Sequence, residues 1–316
     1  MCSVNNKIPL IVVCGPTASG KTALGIHLAK RFNGEVVSAD SMQIYKGMDI
    51  ATAKPTAEET SGVPHHLIGY VNPTDKYSVA DYACAARKVI ADIYSRGRVP
   101  VLVGGTGLYI KALLENIEFS KQPENEELRA ELYKRLEAEG AEALLRELSA
   151  FDPQSAQRIG TKNHRRLVRA VEIYRSTGKT MTQHLAESRL TPSPYNDVRI
   201  ALSCKNRENL YSRINKRVDA MVENGLLDEA RAFLQSSYSA TAVKAIGYKE
   251  LEPYFRGSIT LDQALENLKR ETRRYAKRQL TWFRADSKIN WLFTDVTDNA
   301  SLIKEAENIV ISSGIL

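Results

Sequence analysis

The chain has 316 residues, 43% of them apolar and 26% charged, with a formal net charge of +7. That is ample core for one large or two modest domains, and the basic excess favours an anionic partner without naming it. Four scattered cysteines without a Cys-x-x-Cys pair, no signal-peptide pattern and no membrane-length apolar run argue against a zinc, disulfide-framework or membrane protein, so the expectation is a cytosolic one.

Residues 10–14 are an unbroken apolar run, as in a buried strand. They enter Gly15-Pro16-Thr17-Ala18-Ser19-Gly20-Lys21-Thr22, a Gly-x4-Gly-Lys-Thr phosphate-binding loop, and residues 22–32 leave it with helical spacing. In that setting successive backbone N–H groups point inward and the helix N-terminus adds partial positive charge. Lys21 supplies a full charge, and the Thr22 hydroxyl can hold Mg²⁺. The loop does not say which polyphosphate it takes, a nucleotide or any diphosphate. The plainer alternative is a glycine turn that only joins strand to helix.

Residues 35–39 predict a second buried strand ending at Asp40. A long irregular loop follows through Lys54-Pro55, and such loops inside α/β domains are usually functional. His65 and His66, after Pro64, are expected to pack the loop or touch phosphate rather than bind metal. Residues 79–95 have helical periodicity, and residues 99–103 give a third strand running into Gly104-Gly105-Thr106. This alternation predicts an α/β protein with a P-loop NTPase-like parallel sheet covered on both faces. Ligands of such sheets collect beyond the carboxyl ends of the strands, so the phosphate loop, Asp40 and residues 104–106 should converge on one crevice. Asp40 there has three readings: a Mg²⁺ holder, a general base, or a cap of the following turn.

From about residue 118 the rhythm stops, and residues 125–140, 141–150, 152–160 and 162–177 look helical. Residues 118–196 therefore read as a helical domain inserted into a catalytic core made of 1–117 and 197–316. Strand character returns at 198–203, followed by helices over 206–224 and 227–234, a turn at 245–248 and a long helix over about 261–283. A last strand at 290–293 and a helix at 301–311 close the chain. Arg213 and Arg217, one turn apart on the first of these helices, are candidate donors to the phosphate site. Two stretches are densely basic: residues 269–284 carry seven Lys/Arg against one acid, and residues 158–175 carry six against one. Solvated helix faces are the ordinary explanation, but two such stripes beside a phosphate site favour nucleic-acid contact.

The phosphate loop, the block from Asp40-Ser41-Met42-Gln43 to Thr52-Ala53-Lys54-Pro55, Pro64-His65-His66-Leu67, Gly104-Gly105-Thr106-Gly107-Leu108-Tyr109, Ala245-Ile246-Gly247-Tyr248-Lys249 and Lys277-Arg278-Gln279-Leu280-Thr281-Trp282-Phe283-Arg284 occur in order along nearly the whole chain. Together they resemble the tRNA dimethylallyltransferase family in its shorter bacterial form, which lacks a carboxyl-terminal zinc finger. One departure is Ala51, where the family commonly has Gly.

The resemblance implies transfer of a dimethylallyl group from dimethylallyl diphosphate to N6 of adenosine 37, in the anticodon stem-loop of tRNA. It makes the donor diphosphate, with Mg²⁺, the ligand of Gly15 to Thr22, and Asp40 the base that takes the N6 proton. Lys21, Thr17 and Arg217 would serve the departing diphosphate, and Arg213 would add to its binding. Ser41, Met42 and Gln43 would line the pocket of the flipped adenine. Thr106, Arg129, the block His164-Arg165-Arg166-Leu167-Val168, and Lys244, Ala245, Ile246, Gly247, Tyr248 and Lys249 would touch the tRNA, with the protein acting as a monomer. Rival readings are prenylation of free AMP or ATP, a kinase using the same loop, and a non-catalytic RNA-binding module.

Overall fold

The fold comes from a computed structural model, which describes residues 7–117, 125–188, 191–236, 238–239 and 241–316. Its strands are β1 (Ile8–Cys14), β2 (Gly34–Ser38), β3 (His65–His66), β4 (Val99–Gly104), β5 (Tyr195–Ser203) and β6 (Ile289–Phe293). The helices in order are α1 (Lys21–Arg31), α2 (Ala57–Thr60), α3 (Val79–Ser95), α4 (Gly107–Leu114), α5 (Glu126–Glu139), α6 (Ala141–Phe151), α7 (Pro153–Ile159) and α8 (His164–Thr177). After them come α9 (Met181–Ser188), α10 (Arg207–Glu223), α11 (Leu226–Leu234), α12 (Glu252–Phe255), α13 (Leu261–Arg284) and α14 (Asn299–Ser312).

The six strands form one sheet in the order β3-β2-β4-β1-β5-β6, with every neighbouring pair parallel. Residues 10–14 are fully apolar because β1 is covered on both faces, and the period of two sorts them. Leu10, Val12 and Cys14 join the core under α3 and α4, with Tyr82, Ile90 and Leu113. Ile11 and Val13 join the opposite core under α1 and α14, with Leu28, Leu302 and Val310.

Two elements depart from the sequence expectation. β3 lies in a stretch read as loop: two residues pair with Val36 and Val37, and His66 Nε2 bonds Glu35 Oε2 at 2.7 Å. A two-residue strand has no periodicity to read; the edge of β2 recruits it. Helix α4 follows Gly104-Gly105-Thr106 without a break in hydrophobicity. Tyr109, Ile110, Ala112, Leu113 and Leu114 are all buried, and a helix apolar on most sides shows no 3.6-residue contrast.

A third core lies beneath the long loop after β2. Ile44, Tyr45 and Met48 are buried there with Val218 of α10, Phe233 of α11 and Leu268 of α13. That loop is irregular in backbone but anchored by apolar side chains.

The chain divides into two compact units: one runs to Leu114 and resumes at Pro194, the other is Glu115–Ser193. The second contains α5 to α9 around Leu132, Leu144, Leu148, Leu167 and Val171. Asp152 organises it, accepting hydrogen bonds from Ser155 N at 3.1 Å and Thr182 N at 3.0 Å. Among the described residues no helix is long and apolar enough to cross a membrane.

Candidate active site

Strand β1 ends at Cys14 and gives way to Gly15, whose φ of 140° lies outside the range most side chains adopt. A Cβ there would stand 2.4 Å from the carbonyl oxygen of Leu202, so only glycine lets the loop leave the sheet at this point. The loop closes on Gly20, the N-cap of α1, which has no side chain to satisfy the first helical N–H groups. Other long helices of this unit are capped by side chains, α3 and α13 by full capping boxes. At α1 the open donors are left for an anion. The Ser19 hydroxyl, wholly buried beside them, has no partner among the described residues. Not every loop N–H points at the ligand space, however: Thr17 N donates to Gln279 Oε1 at 2.9 Å.

Lys21 Nζ donates to Pro16 O at 3.2 Å, curling the ammonium over the loop. Burial pulls its pKa down to about 8, the charge of Arg217 pulls the same way, and Asp40 opposes both. Arg217 is likewise held below its usual value by burial, with Asp40 the first group to counter it. One carboxylate thus faces two crowded cations.

Asp40 follows β2 and folds its own turn, Oδ1 accepting from Met42 N at 2.9 Å and Gln43 N at 3.3 Å. No described residue donates a hydrogen bond to Oδ2. Thr106 fixes the turn from β4: its Oγ1 accepts from Ser41 N at 3.0 Å, while its own N–H donates to Ala39 O at 3.1 Å. Tyr275 of α13 lines the same cavity, and burial, then the charge of Asp40, push its phenol upward.

The segment opposite is held by two side chains. Gln43 Nε2 donates to Thr52 O at 3.2 Å and Ala53 O at 2.9 Å. Glu229 of α11 accepts from three consecutive amides, Asp49 N at 2.8 Å, Ile50 N at 2.7 Å and Ala51 N at 2.9 Å, and from Tyr248 Oη at 3.0 Å. Ala51 itself avoids the left-handed region, and its Cβ fills the space where Gly247 lacks one. Alanine in place of the family's common glycine therefore fits without strain.

These parts enclose a cavity of about 290 Å³. Its polar lining comprises Thr17, Lys21, Thr22, Asp40, Ser41 and Gln43 with Arg217, Tyr275 and Arg278; its apolar lining includes Met42, Ile214, Val218, Met221, Leu226 and Leu268. Among the described residues no group of three or more His, Cys, Asp or Glu side chains could hold a metal ion. A divalent ion here would draw its ligands from a bound diphosphate and water, with the Thr22 hydroxyl as protein oxygen, and that donor set suits Mg²⁺.

The family model described as IPP transferase matches residues 43–286, and one described as isopentenyl transferase matches residues 8–72. The chain is 48% identical to a tRNA dimethylallyltransferase of Halalkalibacterium halodurans over 96% of this chain and 97% of that one. It belongs to the tRNA dimethylallyltransferase family. With the protein of that name from Bacillus subtilis it shares 48% identity over 91% of each chain. The crystal structure of the full-length tRNA isopentenylpyrophosphate transferase of Bacillus halodurans superposes with a TM-score of 0.72 at 44% identity, covering 97% of this chain and 98% of that one. A eukaryotic dimethylallyltransferase acting on tRNA gives 0.79 at 29% identity, over 96% and 80%. The sheet is accordingly the P-loop-like sheet of these transferases.

Several residues that the dimethylallyltransferase resemblance assigned to tRNA are also engaged within the protein. Leu167 and Val168 lie in the core of the helical unit, because α8 turns its apolar stripe inward. Ala245 is buried, and Tyr248 is buried too, stacked on Phe233 at 3.9 Å with its hydroxyl spent on Glu229. Gln43 lines the cavity, and its amide nitrogen is spent on loop carbonyls. The Thr106 hydroxyl is engaged with Ser41, and Arg129 is bound to buried Glu172 by Nε at 3.1 Å and Nη2 at 3.0 Å. His164, Arg165, Arg166, Lys244 and Lys249 are exposed, and Lys244, Ala245, Ile246, Gly247 and Lys249 all line the cavity. Arg213 donates to Thr294 and is not among the lining residues, while Arg217 is. The basic stripe of α13 is partly neutralised, with Arg273 on Glu266 at 2.7 Å and Arg274 on Glu271 at 2.6 Å. Glu229, Tyr275 and Gln279 went unread as site residues. Glu229 and Gln279 act through backbone amides and carbonyls of distant segments, and no spacing rule encodes that.

Proposed function

We propose that this chain transfers the dimethylallyl group of dimethylallyl diphosphate to N6 of adenosine 37 of tRNA, releasing diphosphate. The observation that carries this reading is Asp40, which lines the same cavity as Thr17, Lys21 and Thr22 with one carboxylate oxygen unengaged. A kinase can also use a carboxylate base, but phosphoryl transfer gives no occupant for the apolar lining, which a prenyl tail would fill.

In this reading the N6–C1 bond forms as the bond from C1 to the diphosphate oxygen breaks. The amine is poorly basic, so Asp40 accepts the N6 proton as positive charge develops there. The electron pair leaves with the diphosphate, where the gathering negative charge meets Lys21, Arg217 and the open N–H groups at the start of α1. Mg²⁺, held on the protein side by Thr22, would neutralise part of that same charge. The apolar lining of the cavity suits the prenyl tail. Adenosine 37 must leave its stack to reach Asp40, and the exposed basic side chains suit the surrounding phosphates. A cytoplasmic monomer is sufficient for this chemistry.

The test is mass spectrometry of nucleosides from an unmodified tRNA with three adenosines at 36–38, incubated with protein, dimethylallyl diphosphate and Mg²⁺. ATP and AMP serve as parallel acceptors. A dimethylallyl adduct confined to adenosine 37 is expected. An adduct only on the free nucleotide, or ATP consumption without any adduct, would overturn the assignment.

A further inference from the structure

Gln279 sits in the middle of the basic helix α13, yet its side chain is 5% exposed and points at the sheet. Its amide makes two hydrogen bonds to backbone. Oε1 accepts from Thr17 N of the phosphate loop at 2.9 Å, and Nε2 donates to Gly105 O at 2.9 Å. The partners settle the amide orientation, since an N–H demands the oxygen and a carbonyl demands the nitrogen. Gly105 is spaced to receive it: a Cβ there would stand 2.2 Å from Nε2. The next residue, Thr106, pins the Asp40 turn through Ser41 N at 3.0 Å. One amide therefore ties together the loop that faces the diphosphate, the turn that carries the base and the helix that carries the charge.

We propose that Gln279 is a positioning residue that couples the donor and acceptor halves of the site. Resting on the transferase reading above, it means that RNA seated against α13 presets Thr17, and that diphosphate in the loop presets the Asp40 turn. The coupling is reciprocal and of the usual size for linked sites, about 5–150-fold in affinity. The amide touches neither reacting atom; it acts through the two segments that do.

The test is calorimetric titration of inorganic diphosphate with Mg²⁺ into the full chain, with and without a saturating unmodified anticodon stem-loop RNA. Wild-type protein should show two different affinities, by at least about fivefold. Gln279→Met keeps the volume and removes both hydrogen bonds. Gly105→Ala leaves Gln279 intact and displaces it from the other side. In whichever variant retains the wild-type circular-dichroism spectrum, the two affinities should become equal within twofold, while the stem-loop alone binds within about twofold of wild type. Equal affinities in wild type, or undiminished coupling in a folded variant, would overturn the proposal. Because no turnover is measured, an absence of dimethylallyl transfer would count against the functional reading and leave this result standing.

Discussion

At the scale of single residues the site is a contest between one carboxylate and two cations in partly dry surroundings. Asp40→Asn keeps the acceptor oxygen for its turn and removes the base, so turnover should fall about 10²–10⁴-fold while tRNA affinity stays near normal. Single-turnover rates beside filter binding check this; wild-type rates in the variant would take Asp40 out of the chemistry. Lys21 makes a second, pH-dependent case. Its pKa of about 8 in the free protein lies below the ordinary lysine value, so the charged form fades as pH rises past that point. A bound diphosphate favours the ammonium and raises the pKa again. Diphosphate affinity should therefore decline above about pH 8, and binding there should take up a proton at Lys21. Calorimetry at that pH in buffers of different ionisation enthalpy measures the uptake. Lys21→Arg, permanently charged, should lose that part, and equal uptake in both proteins would place the proton on the diphosphate instead. Ala51→Gly tests the family departure: with Ala51 unstrained, the glycine should lower stability by about 0.4–1 kcal/mol through chain entropy and leave activity alone. Thermal unfolding beside a rate assay decides it.

At the scale of elements the loop after β2 is held by α11. Glu229 satisfies three successive amides, and hydrogen bonds to a charged acceptor are among the stronger ones. Glu229→Ala should free the segment 49–51 without unfolding the sheet, whose cores do not involve it. Hydrogen exchange at Asp49, Ile50 and Ala51 should quicken by at least about tenfold, with KM for substrate rising more than kcat falls. Unchanged exchange would mean that the apolar anchors Ile44, Tyr45 and Met48 hold the loop alone.

At the scale of the whole molecule the net charge of +7 is unevenly committed. Arg129, Arg169 and Arg175 are spent on carboxylates, while Arg165 and Arg166 are exposed and form no ion pair among the described residues. Replacing Arg165 and Arg166 together by alanine should weaken tRNA binding and reduce the slope of log K against log salt by roughly 1.4–1.8, about 0.7–0.9 per lost phosphate contact. Diphosphate affinity should not change. A slope equal to that of wild type would place the RNA contact elsewhere.

The sequence by itself determined the elements whose signal is local. The phosphate loop, the buried strands at residues 10–14 and 99–103, and Asp40 at the end of β2 are legible because apolar period, glycine placement and strand ends are properties of neighbouring residues. Tertiary structure alone decided which polar side chains are spent on the protein itself. Arg129 and Arg213 read as ligand contacts and are bonded to Glu172 and Thr294, whereas Glu229 and Gln279 carry no local signal of the backbone segments they hold. The reason is physical: a hydrogen bond joins residues by distance in space, and Thr17 and Gln279 are 262 positions apart in the chain.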